Sequence, residues 1–365
     1  MPSQLEWLES LSPWPEEFGL GRMHALLTEL GQPQRRYPSI HVVGTNGKST
    51  ATRRAAAFLL REGMTVGAYT SPHVAGWSER IQVDGQDADL EQALERVRDP
   101  AEHVGATQFE VLTAAALAEF AASEVDVAVV EAGLGGRLDA TNVLDAEIVA
   151  LTNVALDHTD VLGDTREQIA QEKLAVVAPG ATVVLGEPEW DSRARATGAT
   201  RVVSASDVGR AVAEVFLGRS LEGDVEVTLP GRFEQIGDDV FAGAHNPAGV
   251  EWLLARLPRN DYVVVASILE DKDADAMLRA LARAGNTLVA TASHSARAVP
   301  ADELAGLAAP WFERVETVPD PASALGRARE LAGGEGAVLV TGSLYLLADL
   351  IVRLQRVPWV SSASA

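Results

Sequence analysis

The chain has 365 residues, 47% of them apolar and 22% charged, ordinary for a globular protein but too long for one core, so two domains are expected. A formal charge of −22 argues against non-specific binding to nucleic acid or anionic membranes, and the absence of cysteine rules out disulfides and thiolate metal sites. An anionic substrate must then be held by local positive groups working against the global field, which makes Lys48, Lys173 and Lys272 informative.

The N-terminal stretch is acidic and polar and does not read as a signal peptide, so a cytoplasmic protein is expected. Strand-like runs at 40–43, 64–69, 126–131, 148–152 and 182–185 alternate with helical spacing at 51–61, 90–98 and 110–122. The signal weakens over 187–226. Leu229-Pro230-Gly231-Arg232 then punctuates the chain, and the boundary is placed there, giving domains 1–229 and 230–365. The second half repeats the alternation with strands at 240–241, 262–266, 287–290, 315–318 and 337–341. The apolar stretch 337–352 is interrupted by Gly342, Ser343 and Asp349, so it reads as strand–turn–helix and not as a membrane span. A short Ser/Ala tail closes the chain. The pattern predicts a doubly wound α/β fold in both halves.

Ile40 through Thr50 reads as a buried strand entering a glycine loop, followed by Lys-Ser-Thr opening a helix. A triphosphate needs that order: glycines admit backbone N–H groups, Lys48 neutralises outer charge, and a hydroxyl can ligate Mg²⁺ at a positive helix N-terminus. The loop is not standard, since Val42 stands where the first glycine would fall, and an ordinary strand–turn–helix is the bland alternative. Glu131 ends an apolar strand beside Gly133, Gly135 and Gly136, where it can hold Mg²⁺ or be a solvated carboxylate in a tight turn. His158 can be a metal ligand or a residue capping the next helix. Lys173, in a helical run, taken alone reads as a surface lysine.

The order G-T-N-G-K, S-P-H, E-R-I, F-E-V-L-T-A, E-A-G-L-G-G-R-L-D-A-T-N, L-D-H-T, E-K, L-P-G-R, G-A-H-N-P, D-K-D and T-G-S resembles the folylpolyglutamate synthase/dihydrofolate synthase family. That family lies within the Mur-ligase superfamily of ATP-dependent amide-bond formers. The resemblance runs from Phe18 to about Tyr345. It implies a phosphate-loop sheet domain followed by a smaller Rossmann-like domain. Gly44, Thr45, Asn46, Gly47, Lys48, Ser49 and Thr50 would cradle ATP phosphates, with Arg232 contacting ATP from the domain junction. Ser49, Glu131, His158 and a carbamylated Lys173 would hold metal, with two Mg²⁺ ions expected. Lys48, Lys173 and His158 are the implied catalytic residues. Phe18, Gly19, Leu20, Ser71, Pro72, His73, Phe109 and Glu110 match segments lining a pterin pocket. His245, Asn246 and Ser343 would line a glutamate site. The implied substrates are ATP, L-glutamate and dihydropteroate or folates, handled by a monomer.

Three departures accompany the likeness. The loop lacks the glycine that the family carries after the lysine. Ala242 replaces the aspartate of D-G-A-H-N-P, which contacts nucleotide. The segment 185–229 is short, and Gly209 or its neighbours occupy the place of an H-Q-x-x-N-A segment. These keep two other readings open: a Mur-superfamily ligase for another carboxylate such as a cell-wall precursor, and a non-catalytic pterin- or nucleotide-binding descendant.

Overall fold

The computed structural model describes residues 3–354; the Ser/Ala tail lies outside them. Among the described residues two compact units emerge, 3–72 with 77–227, and 73–76 with 228–354. Among the described residues no helix is long and apolar enough to cross a membrane.

The first unit is built on strands β1 (Ser39–Val43), β2 (Val66–Tyr69), β3 (Ile81–Val83), β4 (Gln86–Asp87), β5 (Val127–Glu131), β6 (Ile148–Leu151), β7 (Thr182–Leu185) and β8 (Arg201–Ser204). Their spatial order is β4-β3-β2-β5-β1-β6-β7-β8. β2, β5, β1, β6, β7 and β8 run parallel, while β3 and β4 extend one edge antiparallel. The central strands read as apolar runs because both faces are covered. Ile40 and Val42 of β1 face one way, with Val127, Val129, Ile148 and Ala150, against helices Lys48–Arg61 and Val208–Leu217. Val43, Ala128, Val130, Val149 and Leu151 face the other, against helices Gly21–Glu29, Gln108–Ala122 and Arg166–Leu174. The chain leaves β1 towards β2 on one side and later adds β6 on the other, so the carboxyl ends of β1, β5 and β6 converge at a topological switch point.

The second unit repeats the design with β9 (Arg232–Ile236), β10 (Asp239–Ala242), β11 (Val263–Ala266), β12 (Thr287–Ala290), β13 (Arg314–Thr317) and β14 (Val338–Thr341), ordered β13-β12-β11-β14-β10-β9. Only β9 is antiparallel. Val264, Ala266, Leu288, Ala290 and Leu339 fill one face and Val263, Val265, Val289, Val338 and Val340 the other.

Every strand expected from the sequence is present, with ends shifted by a residue or two. The expected helix at 90–98 is instead two helices, Leu90–Glu95 and Arg98–Val104. Pro100 explains the break: it lacks an N–H and fits only in a first turn, so a helix must restart just before it. The weak region 187–226 contains β8 and helices Asp191–Ala196 and Val208–Leu217.

Candidate active site

At the end of β1 the loop Gly44–Gly47 is stapled to the chain leaving β6. Thr45 N–H donates to the Asn153 carbonyl at 3.0 Å, and Asn46 N–H to Asn153 Oδ1 at 2.9 Å. Thr45 Oγ1 accepts from Ala155 N–H at 3.1 Å, and Thr152 Oγ1 donates to the Asn46 carbonyl at 2.7 Å. The approach is so close that a Cβ on Gly44 would lie 1.8 Å from Thr152 Oγ1, so no other residue fits. Gly47, left-handed, begins the helix Lys48–Arg61. Lys48 Nζ reaches the Thr45 carbonyl at 3.3 Å, while Thr50 is exposed on the first turn. A fixed turn, a lysine and a helix N-terminus thus surround one point, an arrangement that receives an anion.

Three further candidates meet this loop. Ser49 Oγ donates to Glu131 Oε1 at 3.1 Å, and the other carboxylate oxygen accepts Ser71 N–H at 3.1 Å. Lys173 is buried, and its Nζ donates to the Gly44 carbonyl at 2.9 Å. Burial, and then the Lys48 charge, bring the Lys173 amine down from 10.5 to about 7, against the opposing fields of Asp157 and Asp139. An amine held so low is neutral near pH 7 in a larger fraction than that of a solvated surface lysine. The surface reading of Lys173 is therefore wrong.

His158 sits at the start of the short helix Thr159–Leu162 in the left-handed region, with φ of 49° and no side-chain cap bond. Its Nε2 lies 3.9 Å from Asp157 Oδ1. It stands where a capping residue would but does not cap by its side chain.

The glycine string after β5 is closely packed. A Cβ on Gly136 would meet the Glu172 and Lys173 carbonyls at 2.6 and 2.8 Å, so glycine there lets the lysine-bearing helix approach. Asp139 accepts from Leu134 N–H and from Thr141 N–H and Oγ1, and Thr141 Oγ1 meets His41 Nε2 at 2.7 Å. Burial raises the Asp139 pKa against those hydrogen bonds and lowers His41 to about 4. Sequence reasoning missed Asn153, Thr152, Asp139 and Thr141; the L-D-A-T-N spelling was the one available signal for the last two.

Of the pterin-pocket candidates, Phe18, Gly19, Leu20, Ser71, Pro72, Phe109 and Glu110 lie in this unit. Arg22 Nε lies 3.1 Å from Glu110 Oε2, which ties the segment Phe18–Leu20 to the start of the helix Gln108–Ala122. Glu110 also accepts from Thr107 N–H at 2.8 Å in a capping box, so its carboxylate serves the protein's own backbone. Phe18 is exposed beside Trp14, and Phe109 packs on Tyr69 and over Gly133. Pro72 follows Ser71 through a cis peptide and closes the first unit's part of S-P-H; His73 belongs to the second unit.

Within the second unit, Ala242 and Thr341 end neighbouring parallel strands. Gly342 N–H donates to the Ala244 carbonyl at 3.1 Å, bringing the turn that carries His245 and Asn246 beside the one that carries Ser343. Asn246 is buried and caps the helix Pro247–Leu254 through Gly249 N–H at 2.7 Å. His245 Nδ1 meets the Gly243 carbonyl at 2.9 Å, and Ser343 Oγ accepts Tyr345 N–H at 3.1 Å. Arg232, half-buried, opens β9 opposite Ala242. Gly209 has a packing role: a Cβ there would meet the Ala51 carbonyl at 2.8 Å, so it lets the helix Val208–Leu217 cross Lys48–Arg61 closely.

Residues 42–234 match the family model for the Mur ligase middle domain, and residues 231–344 match that for the Mur ligase glutamate ligase domain. The chain belongs to the Mur ligase family. The dihydrofolate synthase/folylpolyglutamate synthase of Mycobacterium tuberculosis is 32% identical over 89% of this chain and 85% of its own length. The solved folylpolyglutamate synthase of that organism complexed with ADP superposes with a TM-score of 0.89 at 30% identity, covering 97% of this chain and 98% of that one. A bifunctional folylpolyglutamate synthase/dihydrofolate synthase from Yersinia pestis complexed with AMPPNP and Mn ion gives a TM-score of 0.84 at 27% identity, with 97% and 98% coverage. Within the Mur ligases the chain therefore groups with folylpolyglutamate and dihydrofolate synthases, and it is an ATP-dependent ligase. That placement decides against the cell-wall and non-catalytic alternatives.

Proposed function

We propose that this Mur ligase adds L-glutamate to dihydropteroate, to reduced folates, or to both, through an acyl phosphate, acting as a cytoplasmic monomer. The observation that carries the reading is the join of the Gly44–Gly47 loop to Ser49, Glu131 and the buried Lys173, a positive point set against a net charge of −22. The first unit would bind ATP and the pterin acid, and the second would bind glutamate.

The donor set fits magnesium. Ser49 and Glu131 offer adjacent hard oxygens at a helix start, which suits an ion completing its shell with phosphate oxygens and water. Lys173, once its neutral amine has added to CO₂ and lost a proton, would supply a carboxylate for a second ion, and His158 is the candidate nitrogen ligand. When bound, the metal neutralises charge on the transferring phosphoryl group.

A carboxylate is a poor electrophile, so the acceptor acid would first take the terminal phosphoryl of ATP. Lys48 and the N-terminus of its helix would hold that phosphate in line, and the glutamate amine would then displace it through a tetrahedral oxyanion. No protein nucleophile is required, in keeping with a chain that has no Cys and no evident Ser-His-Asp set. Incubating the protein with ATP, Mg²⁺, L-glutamate and either dihydropteroate or tetrahydrofolate, then weighing the products, tests the reading. No glutamate adduct with either acceptor would refute it.

A further inference from the structure

Arg53 lies one turn beyond Ser49 on the helix Lys48–Arg61 and is 7% exposed. Its Nη2 donates to Thr70 Oγ1 at 3.1 Å and to the Glu79 carbonyl; its Nε and Nη1 have no partner. A buried guanidinium with one bonded nitrogen is a poor stabiliser, since an apolar side chain of similar volume is usually as good or better. Its position gives the reason for a cation there. Thr70 and Glu79 form the neck of a loop closed by Thr70 N–H donating to the Arg80 carbonyl at 2.9 Å. The next residue, Ser71, donates to Glu131, and Glu131 accepts from Ser49. The bonds close a circuit: Ser49, Glu131, Ser71, Thr70, Arg53 and back along one helical turn. The loop's tip, His73–Gly76, belongs to the second unit, where Val74 is buried with Phe241 and Leu347.

We propose that Arg53 is a positioning residue that couples occupancy of the phosphate loop to the neck of the Thr70–Arg80 loop. Phosphates gathered at Lys48 and Ser49 load the first turn of the helix, and Arg53 carries that restraint across the circuit to the segment that leads into the second unit. The inference rests on the phosphate assignment above.

Hydrogen exchange of the full chain, with and without ADP and Mg²⁺, tests it. In the unaltered protein ADP should slow exchange of the 70–80 segment. Arg53→Met should keep ADP affinity within about three-fold and hold or raise the melting temperature, yet lose roughly ten-fold of that protection. Arg53→Lys, which keeps a cation within reach of the same acceptors, should restore part of it. Thr70→Val, nearly isosteric, should lose a smaller part and keeps the test alive if Arg53→Met does not fold. Full ADP-induced protection in Arg53→Met, or in Thr70→Val where Arg53→Met does not fold, would overturn the proposal, as would ADP binding to the unaltered protein with no change at 70–80. Failure of ADP to bind the unaltered protein would overturn the phosphate assignment as well.

Discussion

The two units present the carboxyl ends of parallel strands in opposite chemical styles. The first buries ionisable groups there: Glu131, Lys173 and Asp139, with Arg53 behind them. The second buries mostly neutral groups at the matching places, Ser267 after β11, Thr291 and Ser293 after β12, Thr341 and Ser343 at β14, and Asn246 after β10, although the Lys272 side chain after β11 is also enclosed and pairs with Asp271 at 3.1 Å. Desolvating an ion costs several kcal/mol unless partners restore its interactions. A protein accepts that cost where charge must be met by charge, as at a transferring phosphoryl group. Hydroxyls and amides suffice where a substrate only needs to be oriented by hydrogen bonds.

That contrast predicts unequal consequences. Lys48→Ala should lower turnover roughly a thousandfold, because nothing else in the loop supplies mobile positive charge, while the melting temperature stays nearly unchanged. Activity surviving that change would end the phosphate-loop assignment. Lys173→Ala should cut turnover about a hundredfold, with partial recovery on adding short-chain carboxylic acids if a carbamate is the working form.

Lys173 also has a signature independent of turnover. Its folded amine titrates at about 7, below its ordinary 10.5, so between those values the unfolded chain holds the extra proton and stability rises with pH. Melting scans across that window, with bicarbonate excluded, should show the rise, and Lys173→Met should flatten it. An equal slope in both would mean the amine is not buried as the structure has it.

Changes in the second unit should be milder. Ala242→Asp should tighten ATP roughly ten-fold if the missing carboxylate merely weakens the site. Ala242 is 3% exposed, so some loss of melting temperature should accompany the gain. Unchanged affinity would point to a substitute contact. Ser343→Ala, losing the acceptor of Tyr345 N–H, should raise the glutamate KM about five-fold and leave ATP affinity alone. A large fall in turnover there would mean that the neutral site does more than orient.

The elements most legible in the sequence were the central strands, whose residues are apolar on both faces, so that composition alone marks them. The edge strands β3, β4, β8 and β9 were missed because they are short and partly exposed, and neither alternation nor a continuous apolar run survives in four or five such residues. The split at 96–97 was readable from Asp99-Pro100 and was overlooked. In the candidate site, Lys48, Ser49 and Glu131 could be singled out because a glycine loop and a strand-end carboxylate are local patterns. Lys173 was found only through resemblance, since its helical neighbours look like those of any surface lysine. Asn153 and Arg53 went unread, and the packing role of Gly209 with them, because each acts on a partner distant in sequence.

By itself, the sequence determined the parallel α/β layering, the glycine loop after β1 and the family, because each is written in residues adjacent along the chain. Only the tertiary structure decided that Lys173 is buried against Gly44, that Asp139 and Thr141 tie down the glycine string against which its helix packs, and that Arg53 closes a circuit through Glu131. Burial and pKa depend on what folds over a residue, and that is set by chain segments a hundred or more positions away.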